Sequence, residues 1–125
     1  MSESKSDAKV AAVTELARLY YEGMMSADEA MLNRAFHPRA SIVGNEGGEF
    51  IWETLEEFAA ECAAAAGKAG DRAWQINGLS FAGDTALVRL GNQFAGVWYS
   101  DDLSMVRTEG DWRIVHKTFY PHPSA

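Results

Sequence analysis

The last third of the chain is a succession of β-prone runs broken by tight turns. Residues 84–94, 97–107 and 112–120 carry the apolar and β-branched side chains of strands, and short turns centred on Ala95-Gly96 and Glu109-Gly110 separate them. Connections this short join neighbouring antiparallel strands, so the three runs predict a meander. An earlier run, 74–81, leads into it through the turn Ala82-Gly83-Asp84.

Tight turns also fix register. With Ala95-Gly96 and Glu109-Gly110 as the central turn residues, one face carries Val88, Leu103 and His116 in a row. Ala86, Met105 and Ile114 form a second row, and Leu90, Asp101 and Thr118 a third. The opposite face carries Arg89, Asp102 and Lys117 in a row, beside Leu87, Ser104 and Val115. The apolar face is the one a layer of helices would cover. The charged face is expected to stay open, with Arg89, Asp102 and Lys117 as an interface ladder for a second copy of the chain. At one end of the inner face the apolar rows give way to Asn92, Tyr99, Asp101 and Tyr120, next to His116. Polar groups gathered at the edge of an apolar face predict a pocket.

The N-terminal half supplies the helices. Val13, Leu16, Ala17, Tyr20 and Met24 repeat at the spacing of an amphipathic helix over 8–25. Ser26-Ala27-Asp28-Glu29 matches a capping box, predicting a second helix from Ala27 to about Phe36, which Pro38 ends. Residues 40–43 and 50–52 are short β-prone runs around the turn cluster Gly44-Asn45-Glu46-Gly47-Gly48. Thr54-Leu55-Glu56-Glu57 is another capping box; it starts a third helix with Leu55, Phe58, Ala59 and Cys62 on one face, ending at Gly67 and Gly70. The expected architecture is α+β: three N-terminal helices packed on a curved, mainly antiparallel sheet, as one domain over 8–125 behind a disordered leader at 1–7.

Composition narrows the function. A net charge of −7 without a Lys/Arg cluster argues against nucleic acid. No run is long and apolar enough to span a membrane. The lone Cys62 has no partner for an internal disulfide and fits a reducing cytoplasm, where it reads as a small buried hydrophobe. With three histidines and one cysteine no metal-ligand spacing appears, and neither a metal nor a cofactor is expected.

The order helix, helix, strand pair, helix, meander resembles the nuclear transport factor 2-like (cystatin-like) fold over residues 8–122. Three motifs are similar to its putative lumazine-binding branch: Tyr20-Tyr21-Glu22-Gly23 with Phe36-His37-Pro38, Tyr99-Ser100-Asp101-Asp102-Leu103-Ser104, and the segment from Trp112 to Phe119. The resemblance implies a homodimeric cone with a hydrophobic pocket. Its relatives include ketosteroid isomerases, polyketide cyclases, dehydratases and non-catalytic proteins, so the fold alone does not choose among them. Matching the steroid isomerases residue by residue puts their helix-one tyrosine on Tyr20 and their protonated oxyanion-hole acid near Asp101, but their catalytic base on Gly44, so the base is missing.

Three functions follow as expectations. The first is a binder of a flat, mostly apolar small molecule, lined by Tyr20, Trp52, Asn92, Tyr99, Asp101 and His116. The second is a cofactor-independent isomerase, cyclase or dehydratase with Asp101 and His116 as acid and base and Tyr20 as oxyanion donor. The third is a non-catalytic dimeric interaction module working through the open sheet face.

Overall fold

The computed structural model describes residues 5–124. The elements are α1 (Lys5–Met25), α2 (Glu29–Ala35), β1 (Phe36–Glu46), β2 (Glu49–Thr54), α3 (Leu55–Ala64), β3 (Trp74–Ala82), β4 (Thr85–Phe94), β5 (Val97–Thr108) and β6 (Asp111–Pro121). The strands form one six-stranded sheet in the order β2-β1-β6-β5-β4-β3. All neighbours are antiparallel except β1 and β6, which run parallel. Three helices over a mainly antiparallel open sheet is the expected α+β architecture. Among the described residues no helix is long and apolar enough to cross a membrane.

Helix α1 forms because its apolar stripe has a sheet to cover. Val13, Leu16, Ala17, Tyr20, Tyr21 and Met24 are all buried. It begins at Lys5, so residues 5–7 of the expected leader are helical; residues 1–4 lie outside the described residues. Its C-terminus closes through paired backbone bonds, Ala27 N to Met24 O and Asp28 N to Gly23 O. Ala27 takes the left-handed conformation (φ 52°) that this closure requires. The next helix is capped by Asp28, whose side chain accepts from Met31 N, and not by Ser26 as the sequence suggests. With Ala27 consumed in ending α1, Asp28 is the first residue free to cap. The Thr54–Glu57 capping box at α3 forms in full.

The strand from Phe36 is longer than the short run expected at 40–43. It takes in His37 and Pro38, placing His37 in β1 rather than at a helix end, with its Nδ1 accepting from Arg39 N at 3.0 Å.

The β4–β5 pairing has the register expected from the Ala95-Gly96 turn, including Val88 with Leu103, Leu90 with Asp101 and Arg89 with Asp102. Both turn residues have positive φ, 54° and 84°, as the two-residue hairpin turn needs. The β5–β6 pairing follows the expected register from Thr108–Asp111 to Met105–Ile114 and then slips by one residue. Ser104 faces His116, Leu103 faces Lys117 and Asp101 faces Phe119. Val115 is the extra residue of a β-bulge, and beyond it every side chain of β6 changes face. The row Val88, Leu103, His116 is therefore corrected to Val88, Leu103, Lys117. Phe119 replaces Thr118 on the inner face, and Tyr120 points outward, half-exposed.

Candidate functional site

Past the bulge, the inner face leads into a cavity of about 180 Å³ between the sheet, α1 and α3. Its apolar wall includes Ile42 of β1, Ile51 of β2, Phe58 and Cys62 of α3, and Phe119 of β6. Tyr20 stacks loosely on Phe58 with ring centroids 6.4 Å apart and meets Phe36 edge-on at 5.6 Å, which fixes the ring from two sides.

Four polar side chains converge on this wall from four elements. Tyr20 of α1 donates its hydroxyl to Asp101 Oδ2 of β5 at 2.7 Å. Asn92 Nδ2 of β4 donates to the same oxygen at 2.9 Å. Lys117 Nζ of β6 donates to the Tyr20 hydroxyl at 2.8 Å. The result is a continuous chain, Lys117–Tyr20–Asp101–Asn92, with every member buried: Asn92 is 0%, Asp101 2% and Lys117 4% exposed. The second carboxylate oxygen of Asp101 and the amide oxygen of Asn92 are buried without a hydrogen-bond partner.

Lys117 is also held by rings. Its Nζ lies 4.1 Å from the centroid of Phe58, 5.0 Å from Tyr20 and 5.6 Å from Phe119. Aromatic faces attract a cation electrostatically, so the cage offsets part of the loss of water around the amine.

Burial pushes the Tyr20 phenol well above its usual range, and the adjacent Asp101 carboxylate pushes it further. Tyr20 is thus a donor, not a base. At the rim, burial and a hydrogen bond with Glu61 raise the Glu53 carboxyl to about 8. Burial takes the Tyr99 hydroxyl to about 12, helped by Glu46, whose Oε2 lies 3.5 Å away. Burial likewise lifts the Cys62 thiol to about 11. Among the described residues no group of His, Cys, Asp and Glu is placed to hold a metal ion.

Of the residues singled out in the sequence, Tyr20, Asn92, Tyr99 and Asp101 line this cavity together. His116 does not: the bulge turns it to the outer face, where its Nδ1 lies 2.7 Å from Ser41 Oγ. It is therefore not paired with Asp101. Trp52 also lies on the outer face, 67% exposed, because its neighbours Ile51 and Glu53 point into the cavity and strand side chains alternate. On that outer face Arg89 meets Asp102 at 3.6 Å, but Lys117, expected as the third member of the ladder, is inside the cavity.

Lys117, Glu46, Glu53 and Glu61 are charged lining residues that the sequence did not reveal as part of the pocket. A signal for Lys117 existed. Ile114 and Phe119 both want burial yet lie five positions apart, an odd offset that a regular strand cannot satisfy on one face. The Leu55, Phe58 and Cys62 stripe of the third helix was legible as buried, but not as a cavity wall.

Comparison with known proteins agrees with this fold. The family model described as "Putative lumazine-binding" matches residues 8–120. An NTF-2 like protein of unknown function from Silicibacter pomeroyi DSS-3 is 34% identical with a TM-score of 0.91, covering 95% of this chain and 100% of that one. An NTF2-like protein of unknown function from Shewanella baltica OS155 is 21% identical with a TM-score of 0.87, covering 98% and 100%. A structure from Shewanella frigidimarina NCIMB 400, described as a putative ketosteroid isomerase, is 16% identical with a TM-score of 0.67, covering 87% and 94%; at that identity only the fold is shared. No curated protein matches the sequence.

Proposed function

The chain belongs to the Putative lumazine-binding family, within the nuclear transport factor 2-like fold, and from that premise we propose that it is a small-molecule-binding protein. Its ligand is flat, largely apolar and uncharged, with a hydrogen-bonding edge. The observation that carries this reading is the pair of unpartnered buried acceptors, Asp101 Oδ1 and Asn92 Oδ1, on two residues that line an otherwise mostly apolar cavity. A buried acceptor without a donor costs about 1–3 kcal/mol, which a ligand N–H or O–H would recover. Lys117 has donors beyond the one given to Tyr20, so an adjacent ligand carbonyl suits it. An N–H beside a C=O on a planar ring, the edge of a lactam, satisfies both. A cavity of about 180 Å³ limits the ligand to one or two fused rings.

The acidic rim, with Glu46 and Glu61, weighs against an anionic ligand. Calorimetric titration with lumazine, 2-quinolone and quinoline tests the reading. The first two carry the lactam edge and are expected to bind about tenfold or more tighter than quinoline, which lacks the donor. Equal affinities, or no saturable heat from any of them, would reject it.

The cofactor-independent enzyme remains a second reading because Asp101 and Tyr20 form a direct buried pair. On this geometry Lys117, and not His116, is the third member of such a site. The outer face supports a homodimer, since Phe50, Trp52, Trp98 and Tyr120 expose large apolar surfaces there. A buried free Cys62 supports a reducing compartment, the cytoplasm.

A further inference from the structure

We propose that Lys117 is a nucleophile that captures small planar aldehydes or ketones as a reversible imine, with Tyr20 and Asp101 as its proton relay. This inference rests on the reading that the cavity admits a flat ligand, and goes beyond it by assigning covalent chemistry to one atom.

Three features of the molecule carry it. The first is position. The chain has four lysines, Lys5, Lys9, Lys68 and Lys117, and among the described residues Lys117 is the one that lines the cavity. A buried amine facing an apolar cavity is the setting in which lysine serves as a carbonyl nucleophile. The second is the relay. Lys117 Nζ donates to Tyr20 at 2.8 Å and Tyr20 donates to Asp101 at 2.7 Å, so a proton can leave the amine in two short hops. The third is orientation. Phe58, Tyr20 and Phe119 surround Nζ, and their faces would hold an aryl ring against it.

The chemistry balances within these groups. Lys117 passes a proton to Tyr20 as Tyr20 passes its own to Asp101. The freed nitrogen lone pair forms the C–N bond, and the carbonyl π pair moves onto oxygen, which takes the proton from Asp101. The nitrogen then loses a second proton by the same route to Asp101. The C–O bond breaks as the hydroxyl takes that proton and leaves as water, while the nitrogen lone pair closes the C=N bond. One ammonium and one carbonyl become one iminium and one water, and Asp101 ends as the carboxylate it began as. Glu53, Glu61 and Cys62 stand around the cavity without a place in this sequence.

The test uses the full chain with 2-naphthaldehyde and cyanoborohydride, which reduces an imine to a stable amine. Intact mass and peptide mapping locate the adduct. In parallel, calorimetry measures binding of 2-naphthylmethanol, the same shape without an electrophile. The expected result is one adduct on Lys117, formed about tenfold or more faster than on Lys5, Lys9 or Lys68. At saturating aldehyde Tyr20→Phe slows this capture about 100-fold, as loss of a proton-transfer group does. The wild-type labelling pattern decides the matter even if that variant does not fold. If the alcohol binds and Lys117 stays unlabelled, or label spreads over the other lysines instead, the imine is overturned and the binding reading stands. If the alcohol does not bind and nothing is labelled, both fall.

Discussion

The hydroxyl of Tyr20 donates to Asp101 Oδ2 at 2.7 Å across a separation of 81 residues, tying the first helix to the middle of the sheet. Both groups are buried, so neither has water as a substitute partner. Tyr20→Phe removes a donor to a buried carboxylate and an acceptor for Lys117 at once. We expect a loss of about 1–3 kcal/mol in urea denaturation, with the fold retained. An unchanged midpoint would mean that the chain of bonds contributes nothing to stability.

Glu53 gives the protein a pH dependence of known sign. Its carboxyl is raised to about 8 in the folded protein by burial and Glu61, Lys117 partly opposing, against 4.5 as its ordinary value. Between those values the folded state holds a proton that the unfolded state has lost. Stability from this group is complete below the lower value and is lost as pH rises through the window. Denaturation midpoints measured between pH 5 and pH 9 should fall with rising pH in wild type and fall less steeply in Glu53→Gln. Parallel profiles would show that Glu53 titrates normally.

Gly44, the position that the sequence resemblance matches to the base of the steroid isomerases, leaves no room for a side chain. A Cβ built there would lie 2.5 Å from the backbone oxygen of Phe119, its partner across the β1–β6 pairing. Gly44→Ala should destabilise by about 1–3 kcal/mol, as overpacking does. Gly44→Asp should be worse and should not bring proton-abstraction activity. A stable Gly44→Asp protein would show that β6 can move aside.

Cys62 should be sluggish toward alkylation. It is 2% exposed, and burial raises its thiol to about 11. Iodoacetamide at pH 8 should react about 100-fold or more slowly with the native protein than with the urea-unfolded chain, because the thiolate is the reactive form. Comparable rates would indicate that the α3 wall of the cavity opens readily.

The proposed homodimer is tested on the outer face. Lys117 is inside the cavity, so reversing its charge would not probe an interface. Trp52 at 67% and Phe50 at 62% exposure are the probes. Light scattering should give twice the 13.7 kDa chain mass for wild type and half that value for Trp52→Glu. A wild-type mass of one chain would dismiss the homodimer.

How far the sequence could be read depended on which signals were local. The Ala95-Gly96 turn is local and set the whole β4–β5 register, so Asn92, Tyr99 and Asp101 were placed correctly on the inner face. The same logic failed on β6 because a bulge is a compromise between distant partners. Ile114 and Phe119 both reach the inner face only if Val115 is set aside, and that choice is made by β1, β5 and the helices together. Trp52 was misplaced for a related reason. A short strand rich in large apolar residues, Phe50-Ile51-Trp52, does not say which side is in until the pairing with β1 is known. The capping box at Thr54 was fully legible, whereas Ser26 lost its role to Asp28 because the end of α1 uses the intervening residue.

The bulge at Val115 has a consequence beyond this chain. His116 and Lys117 are adjacent occupants competing for one socket, and the position of a single unpaired residue decides which of them enters it. Were the bulge to migrate past Lys117, the imidazole would face Asp101's side of the sheet and the amine would face out, with no residue replaced. A strand of this kind lets descendants trade one proton-handling group for another by moving an irregularity along the backbone, a route of divergence that comparing residues column by column would not detect.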